Sequence, residues 1–412
     1  MEDNNLFERV RNELSRRQLL NKAGLGILGL SVAGIGGTAN PTRIAQAAPP
    51  PTKEPALPPE KKLGWAVVGL GKFATEQIMP SFGECKKSKL VAFVSGDRPK
   101  AQRLAQQYGV NPENIYNYQN YNTIRDHPEV DIIYIILPNS MHAEYTIRGA
   151  QAGKHIMCEK PMANTVAECQ AMIDACNQAN RKLMIAYRAQ YEPFNQAAIQ
   201  IAQKGELGKL KAIVADHGRN LDPFDPADRW RMDKKLAGGG SLVDIGIYSL
   251  QAARYITGEE PIEISAMIYS TPGDPRFREV EENVNFMLRF PSGVLANCTS
   301  SYGYADVKRY RVFGDKAYLE LDPATDYYKH RLLIGRKDAT EERIIQERNQ
   351  FALEMDHLSE CVMENKQPKT PGQEGLQDVK LMSAIYEAAR TNRKIELPLT
   401  KPVWRQQRSV VS

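Results

Sequence analysis

The 412-residue chain is poor in the residues that announce metal, disulfide or membrane chemistry. It holds six cysteines, Cys85, Cys158, Cys169, Cys176, Cys298 and Cys361, and no two stand as C-x-x-C. Cys169 and Cys176 fall on one expected helix, roughly 10 Å apart along its axis, too far for a disulfide. They read as small buried hydrophobes. With six histidines and no His/Cys cluster of ligand spacing, no metal site is expected. The net charge is only +5, and no Lys/Arg-rich block with interleaved aromatics occurs, so nucleic acid is not expected as a partner. No apolar run reaches the roughly 20 residues that span a bilayer. What remains is ordinary globular composition, 42% hydrophobic and 25% charged, at a length that suggests two domains or one large one.

The first 47 residues read as a twin-arginine export signal. Arg16 and Arg17 stand side by side, a weakly apolar run from Ala23 to Gly37 follows with six glycines, and Ala45–Ala47 gives a small-x-small cleavage site. A periplasmic or otherwise exported protein, with no stable membrane anchor after cleavage at Ala47, is the expectation. Residues 48–62 carry six prolines, which excludes a helix or a central strand. They read as an extended arm. At ~3.1 Å per residue in polyproline form it would span ~45 Å, enough to lie over a bound cofactor.

From Leu63 the pattern alternates strand and helix. "LGWAVVGLG", "KLVAFVSGD", "VDIIYIILP", "KHIMCEKP" and "KLMIAYR" are near-continuous apolar runs, as parallel strands buried on both faces require. A Rossmann-type α/β domain is expected over 63–188. After it, alternating strands such as "KLKAIVADHG", "ENVNFMLRF" and "RYRVFGDKAYLELD" predict an α+β domain over 189–398, built on a large, mostly antiparallel, open-faced sheet. Two closing helices are expected near 350–365 and 374–391.

The cofactor end begins at "VVGLGKFA", with Gly69-x-Gly71-x-x-Ala74 between a strand and a helix. The first Gly makes the turn, the second admits a pyrophosphate, and Ala74 allows close packing. Lys72 and Phe73 belong to the same turn. The second strand runs into "SGDRPK". Asp97 would favour the ribose hydroxyl of NAD, whereas Arg98 and Lys100 suit the 2′-phosphate of NADP, and Ser95 could donate to either. The balance favours NADP, with NAD possible. Pro138 and Asn139 follow a strand into the crevice where ligands bind, and His142 close behind is either a further site candidate or a helix-start side chain packed on the domain. Glu159 and Lys160 end the next strand at the same rim.

"GGGSLVDIGIY" places Asp244 and Tyr248 four residues apart, on one face if helical. A free tyrosine has a pKa of about 10 and is a poor base near neutrality, but a neighbouring ammonium such as Lys160 favours the phenolate. Asp244 would then bind a sugar hydroxyl or orient Lys160, and it should stand off Tyr248. The three glycines are expected to let the backbone pass close to ligand.

Together "GLGKFA", "LPNSMHAE", "GKHIMCEKPMA" and "AGGGSLVDIGIYSLQAARYITGEEPIE" resemble the GFO/IDH/MocA oxidoreductases, within them the glucose–fructose oxidoreductase type, from about Leu63 to Pro398. Tyr248 and "WRMDKKLAGGGS" are the more specific marks. The resemblance implies a catalytic group of Lys160, Asp244 and Tyr248. It implies cofactor contacts at Gly69, Gly71, Ser95, Lys100, Pro138, Asn139, Glu159 and Lys160, and a sugar site near Trp230 and Arg231. It also implies tightly held NADP and a homo-oligomer, tetramer or dimer, assembled through open sheet faces. The expected activity is oxidation of an aldose to its lactone and reduction of a ketose on one retained NADP. The alternatives are an NAD(P)-dependent sugar or polyol dehydrogenase with exchangeable cofactor, and a non-enzymatic sensor on the same fold.

Overall fold

A computed structural model describes residues 43–45 and 55–402; Arg16, Arg17 and the first half of the Pro-rich arm lie outside the described residues. The strands, in chain order, are β1 (Arg43–Ala45), β2 (Leu63–Val68), β3 (Ser88–Val94), β4 (Ile115–Tyr116), β5 (Ile132–Ile135), β6 (His155–Glu159), β7 (Leu183–Ala186) and β8 (Leu210–Asn220). They continue as β9 (Glu263–Tyr269), β10 (Asn283–Arg289), β11 (Leu295–Ser301), β12 (Gly303–Gly314), β13 (Tyr318–Leu321), β14 (Leu332–Arg336), β15 (Ala339–Arg343) and β16 (Ile395–Glu396).

Six parallel strands form the first sheet in the order β4-β3-β2-β5-β6-β7. This is the doubly wound Rossmann arrangement, and β2, β5 and β7 are buried almost throughout, as their apolar runs demand. Strand β4 is a two-residue edge that the sequence reading did not anticipate. Glycine-containing turns end β2 and β3 on the same side of the sheet as Glu159, so the expected cofactor residues gather at the carboxyl edge.

The second sheet has ten strands in the order β1-β15-β14-β13-β12-β8-β11-β10-β9-β16. Its pairs are antiparallel except β8 with β11 and β1 with β15. Strand β10 alternates strictly, with Val284, Phe286 and Leu288 inward and Met287 outward. The helices Pro193–Gln203, Ile247–Thr257 and Gly372–Thr391 cover the inner face. The outer face is open and partly apolar: Met267, Tyr269, Met287 and Leu295 are all exposed.

The helix Gln350–Met363 departs from the expected division of the chain. It lies in the C-terminal half of the sequence, yet Phe351, Met355 and Leu358 join the core formed by Trp65, Val67 and Phe93 of the Rossmann sheet. Trp65 Nε1 donates to Ser359 Oγ at 3.0 Å, which ties this helix to β2. Of the Pro-rich arm, Pro59–Lys61 forms a short 3-10 turn, and the Leu57 amide donates to the Lys86 carbonyl at 2.9 Å. That end of the arm is pinned beside the start of β3, opposite the cofactor edge. All six cysteines are buried and unpaired, and no helix among the described residues is long and apolar enough to cross a membrane.

Candidate functional site at the carboxyl edge of the Rossmann sheet

Gly69 turns the chain with φ +91°, and a Cβ there would lie 2.2 Å from the Ile136 carbonyl oxygen. Gly71 is exposed, and a Cβ built on it meets nothing within 4 Å. The space that glycine leaves is open and faces a helix start, which fits a pyrophosphate. Lys100 Nζ reaches back to the Leu70 carbonyl at 2.5 Å, so its charge sits against this turn. Asp97 caps the helix Arg98–Tyr108, accepting the Lys100 amide at 2.9 Å, and its own amide is held by Ser95 Oγ at 3.1 Å. One Asp97 oxygen is thus spent on the helix start, while the Lys100 ammonium stays beside the glycine turn. Arg98 turns toward the Ile115 carbonyl. These residues fit NADP.

Two other residues of the glycine turn face the second domain. Lys72 pairs with Asp225 at 3.0 Å, and the Phe73 ring packs on Tyr327 and Phe351 at 6.3 and 5.6 Å. Pro138 opens a 3-10 turn, and Asn139 Nδ2 donates to the Ala237 carbonyl at 2.8 Å. Glu159 accepts the Tyr134 hydroxyl at 2.6 Å, and burial pushes its carboxyl up. His142, expected at the cofactor, is fully buried, with its ring nitrogens 2.9 Å from the Pro161 carbonyl and 2.8 Å from that of Leu137. It clasps two backbone segments and presents nothing to a ligand, because both nitrogens are taken.

Lys160, Asp244 and Tyr248 do come together. Lys160 Nζ donates to the Asp244 carbonyl at 2.5 Å and to Asp244 Oδ1 at 3.0 Å, and lies 5.1 Å from the Tyr248 ring centroid. The local geometry is not the single α-helix expected. Leu242–Gly246 is a π-turn that leads into the helix Ile247–Thr257, so Asp244 and Tyr248 approach Lys160 from two kinds of turn. The three glycines before it also differ from expectation. Gly238 ends the short helix Lys234–Ala237 at φ +81°, and a Cβ on Gly240 would lie 2.1 Å from the Glu281 carbonyl oxygen. These glycines admit close packing within the protein, not of ligand.

Asp244 Oδ2 accepts Arg231 Nε at 2.8 Å and the Tyr302 hydroxyl at 2.9 Å. Burial alone would raise this carboxyl, but Arg231, Lys160 and Arg219 outweigh it and hold Asp244 well below the usual carboxylate range. Lys160 shows the converse: burial lowers it, Asp244 more than compensates, and its pKa is raised. Asp244 is therefore a fixed anion that aims Lys160, with its oxygens occupied, and it makes no bond to Tyr248. Arg231 also braces Asp228 and the Ala227 carbonyl, and its guanidinium lies 4.4 Å from the Trp230 ring. Trp230 stays half-buried at the rim.

The sequence reading missed Arg188, which stands just past β7. Its Nε donates to the Tyr248 hydroxyl at 3.1 Å, and its guanidinium carbon lies 4.9 Å from the Tyr248 ring centroid. It also missed His217, whose ring stacks on Tyr248 at 5.1 Å and 22°. Burial, then the charge of Arg188, push His217 well below the usual histidine range, so it packs as a neutral ring. A cation at the carboxyl end of a parallel strand was the available signal for Arg188. For His217, on an alternating strand, there was none. Among the described residues no His/Cys/Asp/Glu group is placed to hold a metal.

The family model for oxidoreductases with an NAD-binding Rossmann fold matches residues 63–187, and that for the GFO/IDH/MocA C-terminal domain matches 195–320. The aldose–aldose oxidoreductase from Caulobacter crescentus, solved with glycerol, is 48% identical, with a TM-score of 0.79 over 82% of this chain and 100% of that one. A D-xylose 1-dehydrogenase [NADP(+)] from Haloarcula marismortui is 29% identical over 340 residues, 81% of this chain and 92% of that protein. A 3-ketoreductase from Actinomadura kijaniata, solved with NADP, shares the fold at a TM-score of 0.71 and 22% identity over 79% of this chain and 98% of its own. With both of its domains matched and its glycine turn, strand-end lysine and tyrosine in one crevice, the chain belongs to the GFO/IDH/MocA oxidoreductases.

Proposed function

We propose that the protein oxidises the ring form of an aldose at C1 to the lactone and passes the reducing equivalents to a second sugar carbonyl on one retained NADP. The observation that carries this reading is the pair of buried cations, Lys160 and Arg188, that converge on the Tyr248 side chain. NADP supplies the acceptor, and in the second half-reaction the donor, of a hydride. The chain supplies the proton chemistry. With the Tyr248 oxygen as a phenolate stabilised by Arg188 Nε and Lys160, the C1 hydroxyl proton would pass to it as the C1–H bond breaks and its electron pair leaves as hydride, so that the phenolate becomes the neutral phenol. When a carbonyl is reduced, the same oxygen returns the proton. Asp244 keeps Lys160 charged and aimed, and the neutral His217 ring holds the phenol in plane. Lys100, Ser95 and Gly71 would hold the phosphates of the cofactor.

The second substrate is a sugar carbonyl. The glucose–fructose type takes a ketose, and the Caulobacter relative is named for an aldose; both are carbonyl acceptors in open-chain form. Export through the twin-arginine signal supports retention, since a compartment without free nicotinamide offers no means of exchange. The open apolar face of the ten-stranded sheet supports a homo-oligomer. The test is to purify the processed protein and record nicotinamide absorbance, then add aldoses, and afterwards ketoses or other aldoses. Retained cofactor that is reduced and then reoxidised is the expected result. Empty protein active only with added NADP would favour an ordinary dehydrogenase, and inertness to every sugar would overturn the reading.

A further inference from the structure

Arg188 is buried, yet its hydrogen-bond acceptors are all formally uncharged groups. They are the Tyr248 hydroxyl, the Asp326 and Thr325 carbonyls at 3.1 and 2.5 Å, and Gln350 Oε1 at 2.8 Å. Among the described residues no carboxylate forms an ion pair with it. One turn along the same helix from Gln350 stands Glu354, fully buried, with neither carboxyl oxygen in a hydrogen bond. The titratable and charged groups that face it are Tyr134 on β5, Glu159 on β6, and Arg188 and Tyr191 just past β7.

Two carboxylates in one dry cleft repel, so the pair keeps a proton. Glu159 has the Tyr134 hydroxyl at 2.6 Å and Lys160 beside it, and Glu354 has neither. Glu354 therefore carries the proton; burial, then the charge of Glu159, push its carboxyl well up, against the pull of Arg188. An ionised Glu354 would be the natural counter-ion of Arg188 and would draw its charge away from the phenol.

We propose that Glu354 is a positioning residue for the proton transfer at Tyr248: as a neutral acid one turn from the Gln350 that holds Arg188, it leaves that cation without a counter-ion, so that its field falls on the Tyr248 oxygen. This rests on the reading of Tyr248 as the proton-transfer group. The test compares wild type, Glu354→Gln and Glu354→Met, the two variants being neutral at every pH and one unable to hydrogen bond. Infrared absorption of the purified holoprotein at neutral pH should show a carboxylic-acid C=O band that is absent from both variants and that disappears as pH rises. Aldose oxidation by wild type should fall across that same pH range. In the variants it should persist about one pH unit or more further, with neutral-pH turnover within about threefold of wild type. The proposal is overturned if the acid band is missing from wild type, if all three proteins share one alkaline limb, or if both neutral variants lose turnover at neutral pH. If wild type turns over no sugar while the band is present, the functional reading falls and the positioning role falls with it.

Discussion

Replacing Tyr248 by Phe removes one oxygen from a phenol that is almost wholly buried. The ring keeps its stacking on His217 and its place under Lys160 and Arg188. Two effects follow, and they separate. Arg188 Nε loses its 3.1 Å acceptor. A buried charged donor left without a partner costs about 1–3 kcal/mol of stability, which thermal unfolding would read as a drop of a few degrees. The loss of the proton-transfer oxygen acts on the barrier. General acid–base groups contribute about 10²–10⁴-fold, or about 3–5 kcal/mol. Turnover should fall by that factor while NADP stays bound, since Gly71, Ser95 and Lys100, the residues that would hold its phosphates, are left unchanged. The cycle with Arg188→Met sharpens the test. If Arg188 acts through the phenol oxygen, its replacement should lower turnover strongly in the wild-type background and by much less in the Tyr248→Phe background. A Phe variant within tenfold of wild-type turnover, or strictly additive losses in the double variant, would refute the assignment.

Lys100→Ala should weaken NADP binding at least about tenfold more than NAD binding in titrations of the apoprotein, because the lost ammonium meets a 2′-phosphate; equal losses would place the discrimination at Asp97. His142→Ala should lower the unfolding free energy by about 2–4 kcal/mol, as expected for a buried side chain with two polar contacts, and leave NADP affinity of the folded protein unchanged; a selective loss of affinity would restore a cofactor role. In the buried cluster of Arg254 with Glu260, Glu374 and Asp378, burial pushes Glu374 up to about 7 against the pull of Arg254. The folded state then holds a proton that the unfolded chain releases near 4.5. Stability should fall as pH rises from about 4.5 to 7, by at most about 3 kcal/mol, and level off above. Denaturant titrations of wild type and Glu374→Gln across that window should diverge, and parallel curves would exclude the linkage.

The parallel sheet and the glycine turn were legible because each is a local pattern: an apolar run, then Gly69-x-Gly71, then a helix. The strand-end pair Glu159–Lys160 was legible for the same reason. What the sequence hid depends on distant contacts. Arg188 and Tyr248 are sixty positions apart, and their hydrogen bond exists only because β7 and the Ile247–Thr257 helix meet at one edge. The π-turn at Leu242–Gly246 leaves no mark in periodicity, so a four-residue spacing looked like one helical face. Gly238–Gly240 looked like a ligand-approach loop, yet what approaches is Asn164, Tyr386 and Glu281. His142 turned out to be the packed helix-start side chain and not the site candidate; a polar residue at a crevice edge looks the same in sequence whether it faces solvent or the interior.

The helix Gln350–Met363 makes the boundary between the two domains unusable as a place to cut. Its apolar face completes the Rossmann core with Trp65 and Phe93, and Gln350 at its start holds Arg188 in the crevice. A fragment ending at residue 188 would expose the surface that this helix covers and would be expected to aggregate. A chimera that exchanges the C-terminal domain would have to carry a helix matched to the recipient's β2 and β3. Unfolding should accordingly be one cooperative transition rather than two, and any hinge that opens the crevice must bend outside this helix.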